Sequence, residues 1–497
     1  VDTVWILGDQ LRRDTGALAG FRPGEVRVLM VESDGKLGSG RWHRQRLHFV
    51  LASMRRFAEE LRSEGFAVDY RHASSLREGF HAHCAEFAPP KVSAMSPMSF
   101  NGLEMLRDLD VDVIANDQFL CTIEMFATWA GDRSNLKMED FYRWQRQRLN
   151  ILMDGKKPVG GSWNYDAENR EPPPKDGRSW PAPLTDPLDA TDARVITDIA
   201  RRAPDAFGSS FDGLWATTRE GALKRLRQFV DDALPLFGPH EDAVLSSEWK
   251  LAHSMLSPYL NIGLLHPSEV VDAAHTAFNE GRIPIASAEG FIRQIIGWRE
   301  YVWGLYWLWM PEYRELNALH ADAPLPASFT GGETQMACVS HTVSAIDDRA
   351  WTHHIERLMI LGNLSLTSGV RPSEVVDWMW KSFIDGAEWV MLPNVIGMAL
   401  YADGGRMSTK PYASGGAYIN KMSDHCGDCR YDPKKRIGEH ACPFTTLYWD
   451  FLARNEPALR SNHRLGNQLG SMRKLKDLDA VRERAVEVRS GLRNGSI

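Results

Sequence analysis

Midway along the chain the hydrophobic pattern changes period, and that change restricts the fold more than any other feature. From Val4 to Asn116, short β-like runs alternate with helical patterns: VWIL at 4–7, RVLMV at 27–31, AVDY at 67–70 and VDVIAN at 111–116. Alternation of this kind builds a parallel sheet, because parallel neighbours need a crossover between them. Beyond about Asp198 only helical spacing remains, as in GALKRLRQFVDDAL at 221–234, EGFIRQIIGWREYVWGLYWL at 289–308 and SEVVDWMWKSFI at 373–384. The expectation is an α/β, Rossmann-like parallel-sheet domain over residues 1–130, a connecting segment over 131–197 and an all-α domain over 198–497. The plainest element lies between the second and third strands. There Leu47, Leu51, Met54, Phe57, Ala58 and Leu61 recur at helical spacing, and Gly65 suits the C-terminal cap.

Length and charge remove several classes of function. A chain of 497 residues has ample core, and its net charge of −7 excludes a general polycation, so nucleic-acid binding would need a local basic face. No uninterrupted apolar run is long enough to span a bilayer, and no leader pattern precedes the first strand-like segment. A cytoplasmic protein with no membrane partner, and a monomer, is expected. The first strand runs into Gly8, Asp9 and Gln10 without a G-x-G-x-x-G fingerprint, which disfavours a nicotinamide cofactor. Asp9, Gln10 and Glu32 follow strands whose carboxyl ends face a ligand crevice in such sheets, and they read equally well as loop residues and a helix cap. The stretch 155–187, rich in Gly, Pro and charge, interleaves Lys156, Lys157, Lys175 and Arg178 with Trp163 and Trp180. That mixture suits phosphate contact and base stacking, although a solvated linker is the commoner meaning of any one of these residues.

Chemistry concentrates in three stretches of the helical half. WTHHIERLMILGN at 351–363 sets His353, His354, Glu356 and Arg357 within about one and a half turns of an apolar helix, which calls for pairing or use. Cys426, Cys429 and Cys442 form C-x2-C-x12-C-P, with Cys338 as the natural fourth ligand and His425 and His440 flanking. Thiolate-rich tetrahedral sites hold zinc or an iron-sulfur cluster, and spacing leaves that choice open. HSMLSPYL at 253–260 gathers Ser254 and Ser257 beside Pro258, a start that suits a pyrophosphate or a simple cap.

These stretches resemble a known family. HSMLSPYL is similar to the T-S-x-L-S-P-Y-L segment of photolyases and cryptochromes, IGWREY at 296–301 to their L-W-R-E-F helix, and WTHHIER to the W-I-H-H-L-A-R of animal (6-4) photolyases. The thiol pattern with NKMSDHCGDCRYDP at 420–433, KPYASGGAYIN at 410–420 and PVGGSWNYDAENR at 158–170 resembles the bacterial iron-sulfur cryptochrome and photolyase branch, along nearly the whole chain. The resemblance implies a blue-light flavoprotein with FAD, a [4Fe-4S] cluster on Cys338, Cys426, Cys429 and Cys442, and a 6,7-dimethyl-8-ribityllumazine antenna near Asp9, Gln10 and Glu32. It places Ser254, Met255, Leu256, Ser257 and Arg299 at FAD, pairs Arg357 with Asp385 beside the flavin, and sets Asn394 at its N5. It makes His354 the histidine facing a flipped-out (6-4) lesion in DNA, with His353 as an orienting or core neighbour.

The resemblance departs at Leu358, where animal (6-4) enzymes carry a second histidine, so a two-histidine relay does not transfer. The usual tryptophan triad does not map either, and Trp378, Trp380 and Trp389 stand as unranked electron-relay candidates. The implied activity is (6-4) photoproduct repair. The rival is a signalling photoreceptor with the same cofactors that regulates gene expression without repair.

Overall fold

The computed structural model describes residues 1–497. Strands β1 (Asp2–Trp5), β2 (Val26–Ser33), β3 (Ala67–Ala73), β4 (Val92–Met95) and β5 (Asp112–Ile114) form one parallel sheet in the order β3-β2-β1-β4-β5. The strand order reverses at β1, so the crevice beyond the carboxyl ends of β1 and β4 is where a sheet of this kind binds a ligand. The interior strand β2, between β3 and β1, is buried along almost all its length, which is why it reads as a continuous apolar run. Reading along the chain misses β4, because VSAM has two small residues and no alternation. Its pairing with β1, Val4 opposite Ser93 and Trp5 opposite Ala94, is what makes it a strand.

Helices α1 (Arg44–Ser63), α2 (Leu76–Phe87) and α3 (Phe100–Asp108) form the crossovers. The apolar stripe of α1 is buried as its spacing predicts, and Gly65, at φ 98°, ends it in the left-handed region.

Residues 131–197 are more than a connection. Helix α4 (Met138–Leu149) packs against the helical half and buries Phe141, Tyr142, Gln145 and even Arg146, whose guanidinium donates to the carbonyls of Ile151, Leu152 and Trp163. Tyr142 Oη (2.8 Å) and the Tyr165 backbone N–H (3.0 Å) both donate to the carboxylate of Glu289, fastening the irregular stretch after α4 to the helical core. Helix α5 (Ala190–Arg202), capped by Asp189, then returns to lie on α1. The basic and aromatic residues expected here as a stacking surface are divided. Trp180 is buried, Trp163 lies beneath Arg143 and Arg146, and Arg178 pairs with Asp176, while Lys156, Lys157 and Lys175 remain exposed. The aromatic faces are therefore spent on packing.

The helical half includes α6 (Ala337–Arg349), α7 (Pro372–Ser382), α8 (Pro443–Arg454) and α9 (Leu478–Asn494), with α8 and α9 packed together. Four of its helical runs widen to π geometry, at Phe229–Ala233, Arg293–Arg299, Glu356–Gly362 and Pro393–Ala399. Such widened turns concentrate at functional sites. Three of the four carry residues expected at the flavin: Arg299, Arg357 and Asn394. The last two turns meet closely, since a Cβ on Gly362 would lie 3.0 Å from that of Ala399. No helix is long and apolar enough to cross a membrane.

Candidate functional site

The Glu356–Gly362 turn aims Arg357 at Asp385, with Nη1 at 2.9 and 3.2 Å from the two carboxylate oxygens. Nε of Arg357 donates to Thr352 O at 2.8 Å, and its guanidinium lies 4.0 Å from the Phe383 ring centroid. Ser257 Oγ donates to Asp385 Oδ2 at 2.6 Å, and Asn261 Nδ2 to the Asp385 carbonyl at 2.9 Å. Ser257, Arg357 and Asp385, 128 residues apart at the extremes, therefore share one polar centre. Just before Ser257, Met255 adopts φ 55°, an unusual conformation for a side-chain-bearing residue and one that clusters at functional loops. Ser254 Oγ accepts from the Leu256 N–H at 3.3 Å, and Leu256 itself is buried. Arg299 lies behind this loop. It donates to Leu260 O and Gln118 O, pairs with Glu300 at 3.0 Å and stacks over Phe119. Asn394 spends its amide on Val390 O, 2.8 Å away in its own helix.

The adjacent histidines have opposite environments. His353 is buried, stacked on His253 at 4.5 Å between centroids, and desolvation together with His253 and His354 drives its pKa well below the usual range. His354 keeps 53 % of its side chain open yet is strongly desolvated, the signature of a group on the wall of a deep recess. Burial disfavours its charge, but the Asp242 carboxylate 3.1 Å from Nε2 outweighs that and leaves the pKa raised. Glu241 beside it is buried, with its pKa pushed to about 7 by desolvation against the pull of His354 and Arg293. The charges of Asp242 and Arg170 also bear on Tyr412 and Tyr418, whose phenol pKa values burial raises.

Cys338, Cys426, Cys429 and Cys442 line one small pocket with Met336, Ile419, Tyr431 and Phe444. Burial and the neighbouring sulfurs push the Cys426 thiol up to about 12 and raise Cys338 well above the ordinary thiol range, so without a metal these two groups stay protonated. Gly416 keeps the space open, because a Cβ there would lie 2.9 Å from Cys442 Sγ. Four sulfurs converging on a dry hollow fit a thiolate-bound metal centre.

At the sheet crevice the three residues singled out from the sequence separate. Gln10 is structural, its Nε2 donating to Met95 O (3.0 Å) and Ser96 O (3.3 Å) across to the end of β4. Glu32 is committed as well. Burial opposes its charge, but Arg55, Tyr70 and Arg202 hold its pKa down to about 2. Asp9 differs: its Oδ1 is buried without a partner, and desolvation lifts its pKa to about 6 despite nearby Lys36. Exposed Lys36 lies over the Trp380 ring at 4.7 Å with its pKa lowered by desolvation, while Arg46, drawn down to about 10 by desolvation, donates to Phe383 O (3.1 Å) and Ile384 O (3.4 Å). The orphaned Asp9 carboxylate, with the Lys36 and Arg46 charges beside it, fits a polar ring system in this crevice.

Across 93% of its length the chain is 42% identical to the (6-4) photolyase of Agrobacterium fabrum, covering 93% of that protein. The chain belongs to the bacterial iron-sulfur branch of the photolyase and cryptochrome family. Residues 4–215 also match the family described as deoxyribodipyrimidine photo-lyase-related protein. The crystal structure of a bacterial class III photolyase from Agrobacterium tumefaciens shares the fold, at 16% identity and a TM-score of 0.58 over 99% of this chain and 98% of that one. An uncharacterized protein of Acanthamoeba polyphaga mimivirus is 34% identical over 97 residues, 20% of this chain and 72% of that protein.

The three tryptophans named as relay candidates occupy different places in this photolyase-family protein. Trp378 stacks on Phe329 at 4.5 Å and lies 6.3 Å from Phe383, the ring beneath Arg357. Trp380 wedges edge-on against Trp42 of the sheet domain at 5.8 Å. Trp389 is fully buried and begins a run of edge-to-face indoles, Trp389 to Trp303 (5.6 Å) to Trp307 (5.5 Å). Asp242 and Glu241 carry no sequence signal because EDAVLSSEW at 241–249 has no motif, and nothing within HSMLSPYL singles out its first residue, His253. Their pairing with His354 spans a separation only the fold reveals.

Proposed function

We propose that this protein is a blue-light flavoprotein that binds DNA and repairs (6-4) photoproducts, with FAD beside Arg357 and Asp385. A [4Fe-4S] cluster on Cys338, Cys426, Cys429 and Cys442, and 6,7-dimethyl-8-ribityllumazine at the crevice of Asp9, Lys36 and Arg46, complete the cofactor set. The observation that carries the reading is one helical turn presenting two functions, Arg357 to the Asp385 centre and His354 to an open recess next door. FAD, when bound and reduced, supplies light-driven electron donation to the damaged bases.

The protein's own groups do the rest. Arg357 holds positive charge where an anionic ring would lie, and Asp385 keeps that charge paired and oriented. Ser257 holds Asp385 in turn. The lesion must leave the stack to reach such a recess, and damage lowers the cost of flipping it. Asp242 favours the imidazolium form of His354, so a proton is held ready for a lesion oxygen or nitrogen.

Illuminating the purified protein with an oligonucleotide carrying one defined (6-4) lesion, followed by product analysis, tests this. Wild type should restore the bases, and His354→Ala should lose repair by at least 100-fold while keeping flavin absorbance. Repair unchanged in His354→Ala would remove that histidine from the chemistry. A wild type that photoreduces flavin but leaves the lesion intact would assign the protein to signalling.

A further inference from the structure

We propose that His341, Glu356 and His425 form a second metal site, for a divalent transition ion of the zinc or ferrous-iron class, between the thiol pocket and the turn that carries Arg357. His341 comes from α6, Glu356 opens the widened turn, and His425 immediately precedes Cys426. One donor atom from each lies within 4.8 Å of the other two. Ligands roughly 2.1 Å from one tetrahedral ion stand about 3.4 Å apart, so a closure of at most about 1.4 Å completes the site.

The donors are also free to serve. Nε2 of His425 is buried with no hydrogen-bond partner, and the residue is only 7% exposed. The His341 ring faces it at 4.8 Å between centroids. Glu356 accepts from Thr352 Oγ1 and the His353 N–H on Oε2, but its Oε1 has only a 3.5 Å approach from Thr342. Burial pushes its carboxyl pKa to about 7 even against the charges of Arg349 and Arg357, a cost an ion would remove. The neighbouring trio of His253, His353 and His354 is as compact but lacks this freedom, because both nitrogens of His253 face carbonyl oxygens, of Lys250 at 3.0 Å and Glu241 at 3.1 Å.

Two imidazoles and one carboxylate with no thiolate make a borderline donor set, unlike the all-sulfur pocket beside it. An ion here would tie α6, the loop of Cys426 and the turn of Arg357 into one unit. The active-site turn would then be anchored to the thiol centre through side chains rather than packing alone.

Metal analysis of the full-length protein after equilibration with zinc and gel filtration, combined with zinc-edge X-ray absorption, tests the site. One zinc per chain with only nitrogen and oxygen neighbours, near 2.0–2.1 Å, is expected. His341→Ala and Glu356→Gln should each weaken zinc retention at least tenfold and leave the sulfur-bound metal unchanged. Zinc that shows sulfur neighbours near 2.3 Å would belong to the thiol pocket and overturn the proposal. So would absence of bound zinc, or retention unaffected by His341→Ala. Should Glu356→Gln fail to fold, the half-buried His341 variant decides alone.

Discussion

The thiol pocket and the Arg357–Asp385 centre are both polar sites inside the helical half, and they solve burial in opposite ways. The Arg357–Asp385 centre carries its own counter-charge, with Ser257, Asn261 and the Thr352 carbonyl filling the remaining hydrogen bonds. The thiol pocket has no Lys or Arg among its lining residues, and burial together with the neighbouring sulfurs raises the thiol pKa of Cys338, Cys426 and Cys442. A self-neutralised site can stand before its ligand arrives. A site whose donors need a metal in order to ionise would be completed by that metal, and with the proposed cluster folding and loading would become one event there.

The sharpest way to break this contrast is to delete one sulfur. Cys429→Ala should cost the most, because Cys338 in α6 and Cys442 at the start of α8 lose their tie. We expect a largely insoluble protein, or a midpoint lowered by at least 10 °C in thermal unfolding. A variant that stays soluble with wild-type stability would show that packing, not metal, holds the pocket. Next in size is Asp385→Asn, which leaves Arg357 unpaired. Breaking fully buried pairs costs about 3–5 kcal/mol, and the 20% exposure of Arg357 should reduce this to about 2–3 kcal/mol in urea unfolding. Flavin content should fall as well, while iron stays at wild-type level.

The smallest expected effect concerns His354. Its folded pKa is raised, so its coupling to Asp242 stabilises the protein below the pKa of an unfolded histidine and is lost as pH rises through the folded value. If the protonated ring serves repair, activity should fall along the same limb. Asp242→Asn should move that limb to lower pH by about one unit, as read from the pH profile of repair and from imidazole NMR titration. An unmoved limb would detach His354 from Asp242.

Periodicity made the large division legible, since it reports which faces are buried. The apolar stripe of Leu47 to Leu61 and the run through β2 folded as their spacing demands. What spacing does not carry is partnership. Glu32 looks like a crevice residue until Arg202, 170 positions away, claims it, and Asp242 is unremarkable until His354 turns toward it. Arg146 sits in the expected connecting segment, yet its guanidinium makes three bonds to carbonyls only the fold supplies, those of Ile151, Leu152 and Trp163. The thiols were the exception, because C-x2-C confines two donors by chain geometry alone. Even there, the role of His425 beside them came from the structure.

The widened turns have a further meaning. Each successive residue of an α-helix turns about 100°, so a helix that accommodates one extra residue presents every later side chain on a different face. The Glu356–Gly362 turn works as such a rotational offset: it carries Arg357 to Asp385 and still returns Leu361 and Leu364 to the core. Removing a single residue there would leave the composition almost untouched and swing that whole downstream face away from its partners.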